Sequence, residues 1–251
     1  MDTRRSVLVT GGAAGIGAGI ALRFAEAGYA VAILDVDGEG GRLAGASLEK
    51  LSPCIVLRGD ISEEKDARAA VEETVRRFGR LDVLVNNAGI EVSGSVSQLT
   101  SSEWDRQIAV NLRGAYLMSK YAIAAMKRGG SIVNISSVHA FVSWPGCAAY
   151  DTTKSGLIGL TRAMALDHGR DGIRVNAICP GYIDTPLMDR WLSAVPDREE
   201  VLRQIVASHP AGRIGTPRDV AEAAFFLASD AASFISGTSL VVDGAMTVAG
   251  H

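Results

Sequence analysis

The stretch SVLVTGGAAGIG at residues 6–17 decides the fold. Its apolar start predicts a buried β-strand over Ser6–Thr10, and a helical pattern follows over Ile16–Ala27. Glycines between a strand and a helix let the backbone turn tightly and approach a ligand closely, because they lack a Cβ atom. The free N–H groups of the helix N-terminus then favour an anion such as a pyrophosphate. The stretch therefore predicts a strand, glycine loop and helix that bind a dinucleotide.

Apolar runs and helical segments alternate along the rest of the chain. Further strands are predicted at Ala30–Asp35, Cys54–Arg58, Val83–Val85, Ser131–Ile135, Arg174–Ile178 and Ser239–Val242. Helices are predicted at Gly40–Lys50, Glu63–Phe78, Glu103–Met126, Tyr150–His168 and Arg218–Leu227. Apolar strands separated by helices indicate a parallel sheet that is covered on both faces. We therefore expect an α/β fold: a Rossmann-like, doubly wound parallel sheet with helices on both faces, in one domain over residues 1–251.

Composition excludes several classes of function. The formal net charge is −3, and the basic residues are dispersed, so we expect no nucleic-acid partner. No apolar run approaches the roughly 18 residues of a membrane span, and the polar N-terminus leaves no room for a signal peptide. Three cysteines are an odd number, which argues against a disulfide framework. We expect a soluble protein of the cytoplasm.

Asp35 ends the second predicted strand, about 20 residues after the glycine loop. An acid at this place accepts hydrogen bonds from the adenosine ribose hydroxyls and repels a 2′-phosphate. The glycine loop and the residues just after Asp35 contain no lysine or arginine that would attract that phosphate. The sequence therefore favours NAD over NADP. The alternative is a solvated aspartate at a strand end.

Polar side chains at strand ends predict a catalytic centre. Tyr150 and Lys154 stand four positions apart in a predicted helix, so they lie on one face. A nearby ammonium stabilises a phenolate and lowers the tyrosine pKa from its usual value of about 10, which suits an acid/base group. Ser137 follows the fifth strand and Asn86–Gly89 ends the fourth. Parallel sheets bind ligands at these carboxyl ends.

These motifs together resemble the short-chain dehydrogenase/reductase family. The resemblance is carried, in order, by Thr10–Gly17, Asp60, Asn86–Gly89, Asn111, Ser137, Tyr150, Lys154, Pro180–Gly181 and Thr185, and it extends to the final VVDG at residues 241–244. It covers nearly the whole chain. It implies an enzyme that moves a hydride between a nicotinamide cofactor and an alcohol–carbonyl pair on a small molecule.

The resemblance also implies roles for single residues. Tyr150 would exchange the proton of the substrate hydroxyl, Lys154 would lower the pKa of Tyr150, and Ser137 would hydrogen-bond the substrate oxygen. Asn111 would hold a water that links Lys154 to solvent. The implied cofactor-binding residues are Gly11, Gly15, Ile16, Gly17, Asp35, Asp60, Ile61, Asn87, Ala88, Gly89, Tyr150, Lys154, Pro180, Gly181, Ile183 and Thr185.

The candidate substrate residues are His139, Trp144, Cys147, Tyr182 and Trp191. Aromatic walls with polar handles favour a sugar or a polyol, and residues 182–210 resemble the family's substrate lid. A solvated loop histidine at 139 and a packing cysteine at 147 are the alternatives. None of the histidines (His139, His168, His209 and His251) stands at ligand spacing from another histidine, a cysteine or an acid, so we expect no metal.

Two other functions remain open at this stage. A 3-oxoacyl-[acyl-carrier-protein] reductase would share the fold, although Asp35 and the acidic charge balance argue against it. A non-catalytic NAD-binding protein would also share it, but such a protein can lose its catalytic residues, and Asn111, Ser137, Tyr150 and Lys154 are all present here. The two long predicted helices, 103–126 and 150–168, would pack subunits into a homotetramer in this family.

Overall fold

The computed structural model describes residues 4–127 and 129–248. Both the N-terminal residues 1–3 and His251, which entered the predictions above, lie outside these ranges. The strands are β1 Ser6–Thr10, β2 Ala30–Asp35, β3 Cys54–Arg58, β4 Val83–Asn86, β5 Gly130–Ile135, β6 Ile173–Pro180 and β7 Ser239–Val242. The helices are α1 Gly15–Glu26, α2 Gly38–Leu48, α3 Glu64–Phe78, α4 Ser101–Ile108, α5 Ala115–Ala125, α6 Ala148–His168, α7 Pro186–Ser193, α8 Arg198–Ala207 and α9 Pro217–Ala228.

The strands form one parallel sheet in the order β3-β2-β1-β4-β5-β6-β7. Successive residues of a strand point to opposite faces, and in β1 both faces are buried. Val7 and Val9 join a core with α1 and α9, whereas Leu8 joins a second core with α3 and α5. Strands buried on both faces need apolar residues at every position, which is why they read as continuous apolar runs. The predicted doubly wound α/β fold is confirmed.

The strand order reverses at β1, which pairs with β2 on one side and β4 on the other. The connections after β1 and β4 therefore leave the sheet on opposite faces and open a crevice at the carboxyl edge. This crevice is where open α/β sheets bind their ligands. Within the described ranges, no helix is long and apolar enough to cross a membrane.

The prediction of one continuous helix over Glu103–Met126 is wrong in the middle of that range. Helix α4 ends at Ile108, a π-helical turn occupies Ala109–Gly114, and α5 follows. A π turn adds one residue to a helical turn, so it shifts the apolar pattern too little to be recognised in a sequence. Asn111 is buried within this turn.

Candidate active site

A cavity of about 800 Å³ lies at the carboxyl edge of the sheet. Its walls come from the β1–α1 loop, the ends of β2, β4, β5 and β6, and helices α6 and α7. It is lined by every predicted cofactor-binding residue except Gly17, by Ser137, and by all five candidate substrate residues. One cavity therefore brings together residues from position 11 to position 191.

The glycine loop needs its glycines for two different reasons. Gly11 has φ +66° and Gly15 has φ +54°, a conformation that other residues rarely adopt. Gly17 lies behind the cavity wall, where a Cβ atom would overlap the carbonyl oxygen of Gly11. Asn87 holds the loop from the end of β4, because its Nδ2 donates to the carbonyl oxygens of Thr10 and Gly11 at 3.0 and 3.1 Å.

Asp35 lines the cavity at the end of β2 and also holds the loop. Its carboxylate accepts hydrogen bonds from the backbone N–H groups of Ala13 and Asp37, both at 3.0 Å. Asp37 lines the same wall and caps α2, so two acids border this end of the cavity. Arg58 lies opposite Asp35 in the sheet but is not among the cavity-lining residues.

Tyr150, Ser137 and Lys154 lie together at the centre of the cavity. Tyr150 and Ser137, which follows β5, both line the cavity, and the Ser137 hydroxyl acts to lower the pKa of Tyr150. Lys154 lies one helical turn after Tyr150, is only 5% exposed, and its Nζ donates to the carbonyl oxygen of Ile135 at 3.0 Å. The same Nζ lies 5.3 Å from the centroid of the Tyr150 ring. The predicted grouping of these side chains is therefore present.

The predicted lowering of the Tyr150 pKa is not found in this structure. Burial raises the pKa of Tyr150, the negative charge of Glu91 raises it further, and the Ser137 hydrogen bond lowers it by less. Burial lowers the pKa of Lys154 to about 8. Burial is the largest cause of both shifts, because removal from water disfavours the charged form of each group.

Asn111 does not line the cavity but positions its wall. Its Nδ2 donates to the carbonyl oxygen of Ile90 at 2.8 Å, and its Oδ1 accepts from the N–H of Ile90 at 2.8 Å. Nδ2 also donates to Oγ1 of Thr153 at 3.3 Å. The side chain thus fixes the segment after Gly89 against α6. This positioning role was not predicted, and the water relay through Asn111 stays a prediction.

His139 is surrounded by other candidate residues. Its Nδ1 donates to Oδ1 of Asp151 at 2.6 Å. Its ring centroid lies 4.4 Å from that of Trp144 and 5.0 Å from that of Tyr150. One donor atom each from His139, Cys147 and Asp151 lies within 4.8 Å of the others. Spacing in the sequence did not indicate this cluster, which forms because the turn after β5 folds back onto the start of α6.

Aromatic side chains continue this wall towards α7. The rings of Trp144 and Tyr182 lie 6.3 Å apart, and those of Tyr182 and Trp191 also lie 6.3 Å apart. Burial raises the pKa of Tyr182. The predicted aromatic wall is thus present on the substrate side of the cavity.

Four charged residues that line the cavity were not predicted: Asp37, Glu91, Arg106 and Arg190. Glu91 stands two positions after the Asn86–Gly89 motif at the end of β4, and that position was a usable signal. Burial raises its pKa, and His139 and Lys154 oppose the rise. The two arginines lie on α4 and α7, whose patterns gave no sign that they face a ligand.

A doubly wound sheet with a glycine loop at its carboxyl edge is the architecture of dinucleotide-dependent enzymes. A family model described as "Enoyl-(Acyl carrier protein) reductase" matches residues 11–247. The chain belongs to the short-chain dehydrogenase/reductase family. It is therefore an oxidoreductase that acts on CH–OH groups of a small molecule, and its family uses a nicotinamide cofactor.

The similarity to known relatives extends over nearly the full length of the chain. It is 41% identical to the L-fucose dehydrogenase of Bos taurus, over 97% of this chain and 91% of that protein. It is 42% identical to 2-(S)-hydroxypropyl-CoM dehydrogenase 3 of Xanthobacter autotrophicus, over 96% of each. The solved structure of the Thermoplasma acidophilum aldohexose dehydrogenase has a TM-score of 0.89 and 40% identity, covering 98% of this chain and 95% of that one.

Proposed function

We propose that this protein is an NAD-dependent dehydrogenase that interconverts a secondary alcohol and a carbonyl on a sugar or polyol. The observation that carries the proposal is the grouping of Ser137 and Tyr150, with Lys154 buried one turn away, in the same cavity as the glycine loop. The names of the L-fucose and aldohexose dehydrogenases support the class of substrate.

The glycine loop fits the pyrophosphate of a dinucleotide. Gly11 and Gly15 allow the positive φ angles of the loop, and the loop leads directly into the N-terminus of α1, where N–H groups and the helix dipole favour an anion. Asp35 and Asp37 border the adenosine end with negative charge and disfavour a 2′-phosphate. This charge is the basis for proposing NAD rather than NADP.

When bound, the nicotinamide supplies the hydride chemistry. Tyr150 exchanges the proton of the substrate oxygen through its Oη atom, and Ser137 holds the same oxygen by a hydrogen bond. The raised pKa keeps Tyr150 protonated near neutral pH, which suits donation to a carbonyl in the reductive direction. In the oxidative direction Tyr150 must lose this proton, and the positive charge of Lys154 favours that loss.

The substrate end of the cavity suits a polyhydroxylated molecule. Trp144, Tyr182 and Trp191 offer flat apolar surfaces, and His139 and Glu91 offer hydrogen-bonding groups next to Tyr150. The segment 182–210 contains α7 and α8, which have a small apolar cluster of their own. We propose that this segment is the substrate lid, within a single domain over residues 1–251.

The test is nicotinamide reduction, followed by absorbance, across sugars, polyols, simple secondary alcohols and hydroxy acids, with NAD and NADP in parallel. We expect the largest kcat/KM with NAD and a sugar or polyol. Oxidation of NADH and NADPH with 3-oxoacyl thioesters tests the rival reductase. Turnover on thioesters alone would reject the sugar proposal.

A Tyr150→Phe variant tests the mechanism in the same assay. We expect it to lose turnover and to bind NAD within about threefold of the wild type, because the change removes only the hydroxyl. Turnover that survived this change would reject the acid/base role. No turnover in the wild type, with NAD binding intact, would favour the non-catalytic alternative. The homotetramer and the cytoplasmic location stay proposals, and sedimentation at micromolar concentration tests the first.

A further inference from the structure

Three potential metal ligands from separate places in the chain meet beside Tyr150. One donor atom each from His139, Cys147 and Asp151 lies within 4.8 Å of the other two. All three residues are half-buried and line the cavity or lie directly behind its wall. A small ion in the cavity could therefore reach them.

Local folding explains why the donors converge. Cys147 is the N-cap of α6 and Asp151 lies in its first turn, where the backbone N–H of Asp151 donates to the carbonyl oxygen of Cys147 at 2.8 Å. Residues four apart on a helix share one face. A short 3-10 turn at Val138–Ala140 brings His139 onto that face, where its Nδ1 contacts Asp151 at 2.6 Å.

The charges around these donors also favour a cation. The carboxylate of Asp151 belongs to the cluster, and that of Glu91 lies close enough to Cys147 to act on its thiol electrostatically. Asp151 accepts from His139 but has no lysine or arginine partner among the described residues. The buried ammonium of Lys154 donates to the carbonyl oxygen of Ile135. Two carboxylates near the donors therefore favour a cation at this place.

We propose that His139, Cys147 and Asp151 form a zinc-binding site at the substrate end of the cavity. A sulfur, a nitrogen and a carboxylate oxygen are the donor types that Zn²⁺ takes, whereas Mg²⁺ and Ca²⁺ take oxygen. A thiolate and a carboxylate would balance the two charges of the ion, with His139 neutral. Binding displaces the thiol proton of Cys147 to solvent, and no electron is transferred.

The consequence for the enzyme is inhibition. The ion would engage His139 and lie between Tyr150 and the aromatic wall, where the substrate is expected to bind. Zinc should therefore compete with the alcohol and not with NAD. This consequence rests on the proposed function, whereas the binding of the metal does not, so binding is measured first and without substrate.

The experiment uses Co²⁺ as a spectroscopic probe for Zn²⁺ on the full chain, after treatment with a chelator. In the wild type we expect a sulfur-to-cobalt charge-transfer band in the near ultraviolet, and its loss when Zn²⁺ is added. Cys147→Ser should abolish the band. Cys54→Ser is the matched control, because Cys54 is also a half-buried free cysteine but lies on β3, away from the site, and this variant should keep the band.

Asp151→Asn provides a second test that leaves the thiol in place. We expect it to weaken Zn²⁺ binding, measured by calorimetry, by at least about tenfold. If Cys147→Ser lacks the thermal unfolding transition of the wild type, the Zn²⁺ affinity of Asp151→Asn tests the proposal in its place. No charge-transfer band in the wild type, a band that survives in Cys147→Ser, or unchanged Zn²⁺ affinity in Asp151→Asn would each overturn the proposal.

Discussion

Replacing Asn111 by leucine tests whether this residue positions the segment after β4. Leucine has a similar shape but no hydrogen-bonding groups. The change leaves the N–H and the carbonyl oxygen of Ile90 without the partners that now lie at 2.8 Å. The loss of the contact with Thr153 costs less free energy, because Oγ1 of Thr153 still donates to the carbonyl oxygen of Tyr150 at 2.8 Å.

The expected loss follows from the burial of these groups. Asn111 is 2% exposed, and Ile90 is half-buried, so water can reach its backbone only in part. A backbone group left without a partner costs about 1–3 kcal/mol when buried. Two such groups in a half-buried place give an expected loss of about 2–4 kcal/mol in the free energy of unfolding.

Urea unfolding followed by circular dichroism measures this loss, at one fixed protein concentration because assembly would add stability. The matched control is Gln98→Leu. Gln98 also accepts from a backbone N–H, that of Ser95 at 3.0 Å, but it is exposed, so its replacement should change the free energy by less than about 0.5 kcal/mol. A loss for Asn111→Leu as small as that of the control would refute the positioning role.

Three further predictions concern the cofactor end and the stability of α9. Asp35→Ala should lower the preference for NAD over NADP by at least about tenfold in kcat/KM; an unchanged ratio would show that Asp35 does not discriminate. Gly17→Ala should abolish NAD binding in calorimetry and destabilise the fold by about 1–3 kcal/mol, because the added Cβ overlaps the carbonyl of Gly11; retained binding would contradict this packing. Asp219→Asn should cost about 1 kcal/mol at pH 7, since Asp219 accepts from the backbone N–H of Thr216, the N-cap of α9, and pairs with Arg213. That pairing lowers the pKa of Asp219 in the folded state. The contribution of Asp219 to stability is therefore fully present above the unfolded pKa of about 3.9, and it is lost progressively as the pH falls from there through the folded pKa. Urea unfolding should show a smaller difference at pH 3 than at pH 7, and an equal difference would refute the linkage.

The fold and the cofactor end of the cavity could be predicted because they depend on the backbone. Strands buried on both faces leave a continuous apolar signal, and the bounds of β1 and β2 agree with those expected. The glycines at 11 and 15 are required by positive φ angles, which a sequence records directly as residue type. The spacing of Tyr150 and Lys154 likewise determines their common face on α6.

Other features could not be predicted because they depend on contacts between distant segments. The π turn around Asn111 hardly changes the apolar period of the α4–α5 region. The contact between His139 and Asp151 spans 12 positions and depends on how a loop returns to a helix. The direction in which the Tyr150 pKa shifts depends on the burial of Tyr150 and on the nearby charge of Glu91, and a sequence motif records neither.

The two ends of the cavity therefore differ in how they limit the chemistry. The cofactor end is built from small residues and backbone groups, so its geometry tolerates little change. The substrate end holds Glu91, His139, Asp151 and Lys154, whose charges influence one another across the cavity. Glu91 raises the pKa of Tyr150, so in the proposed mechanism a change that adapts this end to another substrate would also alter the acid/base group. Substrate choice and proton transfer would then be coupled through charge, even where no substrate contact is shared.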